Sequence, residues 1–453
     1  MTCMADDTLA GRLGSFVSGL SIGNVPGEVV EKARACVLYA YGIGIGSNNL
    51  PYAPVARRAV LEMEGEQRDG ATMFGDGRKT TIGGATLANA ALFHARNQED
   101  TNGSTHVGPV IMPVLTALLE ARDLPIARLL PAVIAGYEAA ALLDREYAGK
   151  TTAGGFRATP LYGAIGAAAA VARLYELPAH ETQSALANAA GFAGGTLQSQ
   201  TDGSDEWRYQ VGIAGRIGLI AAQLARAGSV SAPRAFEGRA GFLRAFANAD
   251  CDVAGLTAGL GRDWSILKVA FKPYPLPAWN QTPVTLALRM WKAIGGRPVK
   301  RIQVRMNPHE VNYPGKNVTP PFANANEAKL SISFSVATVL AHGTPTFPLL
   351  LDYQNAKTAV MIERMKLIAD PEVPKLCCTI AVEFESGESW SDTLMRDARD
   401  YSFSCNEVAR LVRAVGSETG VPAKAYGLLE DFVHGLPANG SIQRVVESFA
   451  LMP

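Results

Sequence analysis

Ala164-Ile165-Gly166-Ala167-Ala168-Ala169-Ala170 is a run of small residues inside a longer pattern, 160–175, with the three-to-four spacing of a buried helix. Helix faces this thin let two axes approach closely, so the run predicts a dense multi-helix bundle. The neighbouring segments agree. Leu9, Leu13, Phe16 and Val17, then Val29, Val30, Ala33 and Val37, mark one buried face between residues 8 and 45, with Pro26 where a helix can begin. Helical patterns recur at 84–98, 109–122, 126–143, 180–193 and 209–227. Gly42-Ile43-Gly44-Ile45-Gly46 lacks the preceding strand of a dinucleotide loop and reads as close helix packing.

The texture changes after about residue 265. Val299 to Met306 alternates, with Ile302, Val304 and Met306 on one face and Gln303 and Arg305 on the other; 379–384 repeats this with Ile380, Val382 and Phe384. Both are strand patterns. Helical periodicity lies between them at 324–342 and 355–367, and the chain reads as helical again from about 404. The expectation is a mainly α protein: a helical domain from 1–266 and 403–453, with a smaller α+β domain inserted at 267–402. A chain of 453 residues is long enough for two cores.

Lys plus Arg and Asp plus Glu are equal at 42 each, so no net field draws in nucleic acid or an anionic membrane. An anionic substrate would have to be held by local cations. Cysteines at 3, 36, 251, 377, 378 and 405 form neither a zinc pattern nor a disulfide framework. Adjacent Cys377 and Cys378 suit buried free thiols. Met1 to Ala10 has no apolar core of a signal peptide. Arg173, Arg216 and Arg226 interrupt the apolar runs before about 18–20 residues accumulate. A soluble, cytoplasmic protein is expected.

Three clusters carry candidate chemistry. His94-Ala95-Arg96-Asn97-Gln98-Glu99-Asp100-Thr101-Asn102-Gly103-Ser104-Thr105-His106 gathers acids, hydroxyls and two of six histidines between two helices. A histidine beside a carboxylate can transfer protons, although Asp100, Thr101 and Ser104 equally suit helix capping. A metal at His94, Asp100 and His106 lacks a further ligand pattern. In Phe271-Lys272-Pro273-Tyr274-Pro275-Leu276-Pro277-Ala278-Trp279-Asn280-Gln281, Lys272 sits in a stiff apolar segment at the proposed junction. Desolvated, it serves as a base; charged, it clamps a carboxylate; on the surface, it merely snorkels. Asp202-Gly203-Ser204-Asp205-Glu206-Trp207-Arg208 leads into a helix whose start suits an anion or ordinary capping.

Taken in order, these segments resemble the MmgE/PrpD family, which includes 2-methylcitrate dehydratase, cis-aconitate decarboxylase and iminodisuccinate epimerase. The resemblance runs through Ile22 to Gly46, Asp100-Thr101 with His106 and Pro113, Gly163 to Ala168, Phe271-Lys272-Pro273-Tyr274-Pro275 and Glu327-Ala328-Lys329-Leu330-Ser331. It implies a helical domain with an α+β lid, a homodimer, and catalysis without metal or organic cofactor on a small polycarboxylate. By position it marks Asp100, Thr101, His106 and Lys272 as site residues.

The implied chemistry is loss of a proton, or of carbon dioxide, beside a carboxylate. Lys272 is then the expected base and His106 the acid, with Asp100 orienting His106, Thr101 binding substrate and Tyr147 a further acid or a buried tyrosine. Arg157, Arg208 and Lys329 are expected to hold carboxylates, with Trp207 beside them. Where the decarboxylase branch has a histidine after Gly-Phe, this chain has Arg157, and its site lysine is replaced around Trp207 and Arg208. These departures count against decarboxylation. Dehydration is the first expectation and epimerisation the second, two reactions that share the proton-abstraction step and between which the sequence does not decide. A non-catalytic carboxylate-binding homologue is the competing class. On this reading Lys272→Ala abolishes turnover with little change in melting temperature.

Overall fold

The computed structural model describes residues 7–438 and 440–453; Cys3 and most of the amino-terminal segment read above lie outside them. The fold is mainly α. Its centre is the helix Ala158–Leu174, in which only Arg173 is not fully buried. Helices Leu129–Ala153 and Trp207–Arg226 flank it, and small residues set their spacing. A Cβ on Gly166 would come to 2.7 Å of the Gly136 carbonyl oxygen, and one on Gly218 to 2.6 Å of the Ala167 and Ala168 backbone. The thin faces predicted from the alanine run thus bring backbone against backbone.

This yields a paired test. Gly218→Ala is expected to destabilise the fold by about 1–3 kcal/mol through overpacking. Gly149→Ala, at an exposed helical position with nothing within 4 Å, is expected to stabilise by up to about 1 kcal/mol through helix propensity. Urea midpoints check the opposite signs.

The stretch Ile126–Ala153 is long and apolar enough to cross a membrane by composition, yet 83% of its apolar window is buried inside the fold. It is a core helix. Helix Gly27–Ile45 starts after Pro26 and receives the carboxy-terminal helix Cys405–Thr419: Cβ atoms on Gly42 and Gly46 would strike Val412 and Val415 at 2.5 and 2.4 Å. The glycine repeat is a packing surface for the Cys405–Thr419 helix.

A short hairpin, β1 (Ala71–Thr72) and β2 (Lys79–Thr80), decorates the bundle. The second unit holds β3 (Val299–Met306), β4 (Met365–Ala369), β5 (Cys378–Phe384) and β6 (Ser389–Leu394) in the order β4-β3-β5-β6. Only the β3–β4 pair is parallel. Helices Gln281–Ile294 and Ile332–His342 cover the sheet, closing a core drawn from residues 276–394; the first core draws on 9–271 and 408–449.

Several expected boundaries shift. The 355–367 pattern is helical only to Glu363; beyond it the chain takes the free edge of β3, whose ladder outweighs the helical spacing of its apolar residues. The 324–342 pattern breaks at Ser331, which caps the second helix by accepting from the Phe334 amide. Strand β6 is a polar edge and gave no apolar signal. The 84–98 helix stops at Phe93, releasing the loop that follows, whereas the 126–143 helix runs on to Ala153. Cys377 and Cys378 are buried free thiols.

Candidate active site

A cavity of about 390 Å³ is lined by the 97–106, 157–207 and 268–272 segments on one side and by residues between 277 and 401 on the other. The loop after Phe93 forms one wall. Asn97 takes φ 59°, a left-handed conformation that asparagine tolerates, which turns the chain back toward the cavity. Thr101 and Ala270 exchange main-chain hydrogen bonds at 2.9 Å, tying this loop to the segment bearing Lys272. The Tyr39 hydroxyl clasps both, bonding the Gln98 carbonyl and the main chain of Lys272. Asp144 shapes the far end of the loop, accepting from the Ser104 amide and the Thr105 hydroxyl. Gly103 is needed there: it has φ 65°, and a Cβ would sit 2.0 Å from Asp144 Oδ2.

Glu99 is the hub, and the sequence reading gave it no role. Lys272 Nζ donates to Glu99 Oε1 at 2.6 Å and to the Asn97 carbonyl at 3.0 Å. His94 Nδ1 lies 3.1 Å from Glu99 Oε2 but out of line for a hydrogen bond, so both atoms are buried without a hydrogen-bond partner. His106 Nε2 stands 3.5 Å from Glu99 Oε1. Burial alone would raise the Glu99 pKa, but His94, Lys272 and His106 around it outweigh burial and hold it well below the usual carboxylate range. Burial lowers the Lys272 pKa, against the pull of Glu99.

The partners fix both imidazole tautomers. Arg157 Nη2 lies 2.8 Å from His94 Nε2, and a guanidinium only donates, so that nitrogen accepts and the proton is on Nδ1. Burial lowers the His94 pKa to about 4. His106 Nδ1 lies 2.8 Å from the Asp100 carbonyl oxygen, which only accepts, so Nδ1 carries the proton. Neutral His106 therefore presents an unprotonated Nε2. Burial holds its pKa well below the ordinary imidazole value, and its side chain retains 18% exposure through the cavity.

The expected site residues divide accordingly. Lys272, His106, Thr101, Arg157 and Trp207 line the cavity. Asp100 steadies His106 through its main-chain carbonyl, while its carboxylate turns into the core to accept from Tyr137 and the Gly108 amide. Burial raises that carboxyl to about 6. Arg157, with its pKa lowered by burial to about 10, spends donors on His94, Gln210 and the Trp207 carbonyl. Arg208 lies outside the lining, between the Tyr52 and Trp207 rings and bonded to Asp205 and Asn326, where it links the two units. Lys329 is also outside the lining, its Nζ buried over the Phe347 ring without a hydrogen-bond partner. Tyr147 stands apart from the cluster. Its hydroxyl donates to the Asp250 carbonyl at 3.3 Å.

The second unit supplies Lys316, Tyr313, His309 and Lys375 to the lining, none of which the sequence reading singled out. In all, Arg157, Lys268, Lys272, Lys316 and Lys375 face the cavity, and among the described residues no acid lines it. Lys268 and Lys375 are exposed, whereas the other three are buried. Among the described residues no three His, Cys, Asp or Glu side chains are grouped to hold a metal ion; Glu99 is instead occupied by Lys272.

A family model described as the MmgE/PrpD N-terminal domain matches residues 11–253, more than half of the chain, and the chain belongs to that family. It is 22% identical over 471 residues to the cis-aconitate decarboxylase-like protein oryM of Aspergillus oryzae, with 97% of each chain covered. It is 24% identical over 408 residues to the cis-aconitate decarboxylase of Homo sapiens and 23% over 404 to that of Mus musculus, with 83% of this chain and 80% of each relative covered.

Proposed function

We propose that this protein is a lyase acting beside a carboxylate of a small polycarboxylic acid. The observation that carries this reading is the charge of the cavity: five cations and no lining acid among the described residues, on a chain of zero net charge. Such a cavity suits a compact polyanion, and the exposed Lys268 and Lys375 would steer it inward.

The tautomers suggest the division of labour. His106 Nε2, neutral and unprotonated, takes the proton from the carbon next to the carboxylate. The Lys272 ammonium meets the negative charge that develops on the carboxylate oxygens, and Glu99 keeps that ammonium charged and in place. This reverses the roles expected from sequence, where Lys272 was the base and His106 the acid. A base facing the cavity favours a reaction that begins with proton removal, so dehydration is the first reading. The hydroxyl on the neighbouring carbon leaves as water, taking up the proton that His106 Nε2 has received. Decarboxylation is the second, favoured by the activity for which relatives matched over most of their length are named. It needs only that a donor return a proton to the carbanion.

Proton NMR in deuterated water with citrate, 2-methylcitrate, malate and cis-aconitate distinguishes these. For dehydration, a new vinylic proton signal with loss of water is expected, and deuterium enters beside the carboxylate of remaining substrate each time proton removal reverses. Carbon dioxide release from cis-aconitate selects the second reading. Unchanged spectra for every acid would defeat both.

A further inference from the structure

We propose that Lys316 is the receptor for a second carboxylate of the substrate, and so the residue that makes the site select a tricarboxylate over its analogue lacking one carboxylate. This rests on the polycarboxylate reading above and adds which residue performs the selection.

The three buried cations of the cavity differ in what already occupies them. Lys272 is paired with Glu99, and Arg157 is spread over three acceptors. Lys316 is 2% exposed, lines the cavity, and its Nζ reaches only the Leu330 carbonyl at 3.4 Å. That carbonyl also accepts from Asn280 at 3.3 Å. A buried ammonium with three donors and one long, shared acceptor is unfavourable unless an anion joins it. Burial, with the Lys272 charge adding to it, pushes Lys316 down to about 7, a strain that a bound carboxylate relieves.

The backbone holds Lys316 firmly in this place. Its amide donates to the Tyr313 carbonyl and its carbonyl accepts from the Ile332 amide, both at 3.0 Å. The preceding Gly315 has φ 79°, and a Cβ there would come to 2.8 Å of the Gln200 carbonyl oxygen, so the turn is pressed against the first unit. Lys316 therefore adds a cation from the second unit, while Arg157 and His106 belong to the first.

The test compares two unreactive ligands by titration calorimetry: propane-1,2,3-tricarboxylate, and 2-methylsuccinate, the same skeleton with one terminal carboxylate removed, each enantiomer tested. Wild type is expected to prefer the tricarboxylate by about 10- to 100-fold, the worth of a hydrogen bond to a charged group. In Lys316→Met that preference should collapse toward unity, while Lys316→Arg should retain part of it. The methionine variant should melt at or above the wild-type temperature, since it removes a buried charge without a protein anion. An unchanged preference in Lys316→Met overturns the assignment and leaves the polycarboxylate reading standing. Failure of wild type to bind either ligand overturns both.

Discussion

Glu99→Ala is expected to destabilise the fold by about 3–5 kcal/mol, seen as a lowered urea midpoint at neutral pH. Lys272 and Glu99 are each at most 3% exposed, and removing the carboxylate leaves the ammonium with only the Asn97 carbonyl. The same reasoning changes the outcome expected for Lys272 from sequence. Lys272→Ala would strand the Glu99 carboxylate among neutral histidines, so its melting temperature should fall along with turnover. The double variant Glu99→Gln/Lys272→Met carries no uncompensated charge and should recover most of the stability, because a buried pair replaced as a unit is often neutral. It should not recover activity. If Glu99→Ala proves as stable as wild type, the pair is not a buried, mutually dependent unit.

The contrast between Glu99 and Asp100 explains where the sequence stopped being legible. Both acids sit in the loop that the sequence marks as chemical, but neighbouring side chains part company in a non-helical segment. Asp100 turns to Tyr137 and Glu99 to Lys272, 173 residues away. No local spacing reports that choice. Lys316 was hidden similarly: its segment has no periodicity, and its meaning depends on a cavity assembled from both units. What could be read were features with local causes. The β3 alternation matches Val299–Met306, and the Gly42–Gly46 repeat packs as expected because thin helix faces have few other uses. The end of the 355–367 helical pattern, Met365 to Leu367, lies in a strand because a strand at a parallel edge needs no clean alternation once its partner supplies the ladder.

His106→Gln is expected to lower kcat by about 10²–10⁴-fold. The wild-type kcat/KM profile should keep its plateau below pH 6.5 before turning down. The sign follows from the tautomer. The working form is neutral, burial lowers the pKa of His106 below the imidazole value, and protonation therefore silences it only at more acid pH. A turn-down centred above pH 6.5 would contradict a buried neutral base. The assignment of base to His106 rather than Lys272 has its own measurement, deuterium exchange beside the substrate carboxylate. In Glu99→Gln/Lys272→Met the base is intact and only the charge stabilisation is gone, so slow exchange should persist above the level in His106→Gln. The opposite ranking, exchange surviving in His106→Gln and vanishing in the double variant, would return the base to Lys272. The readout separates the roles because exchange requires proton removal but neither departure of a leaving group nor release of product.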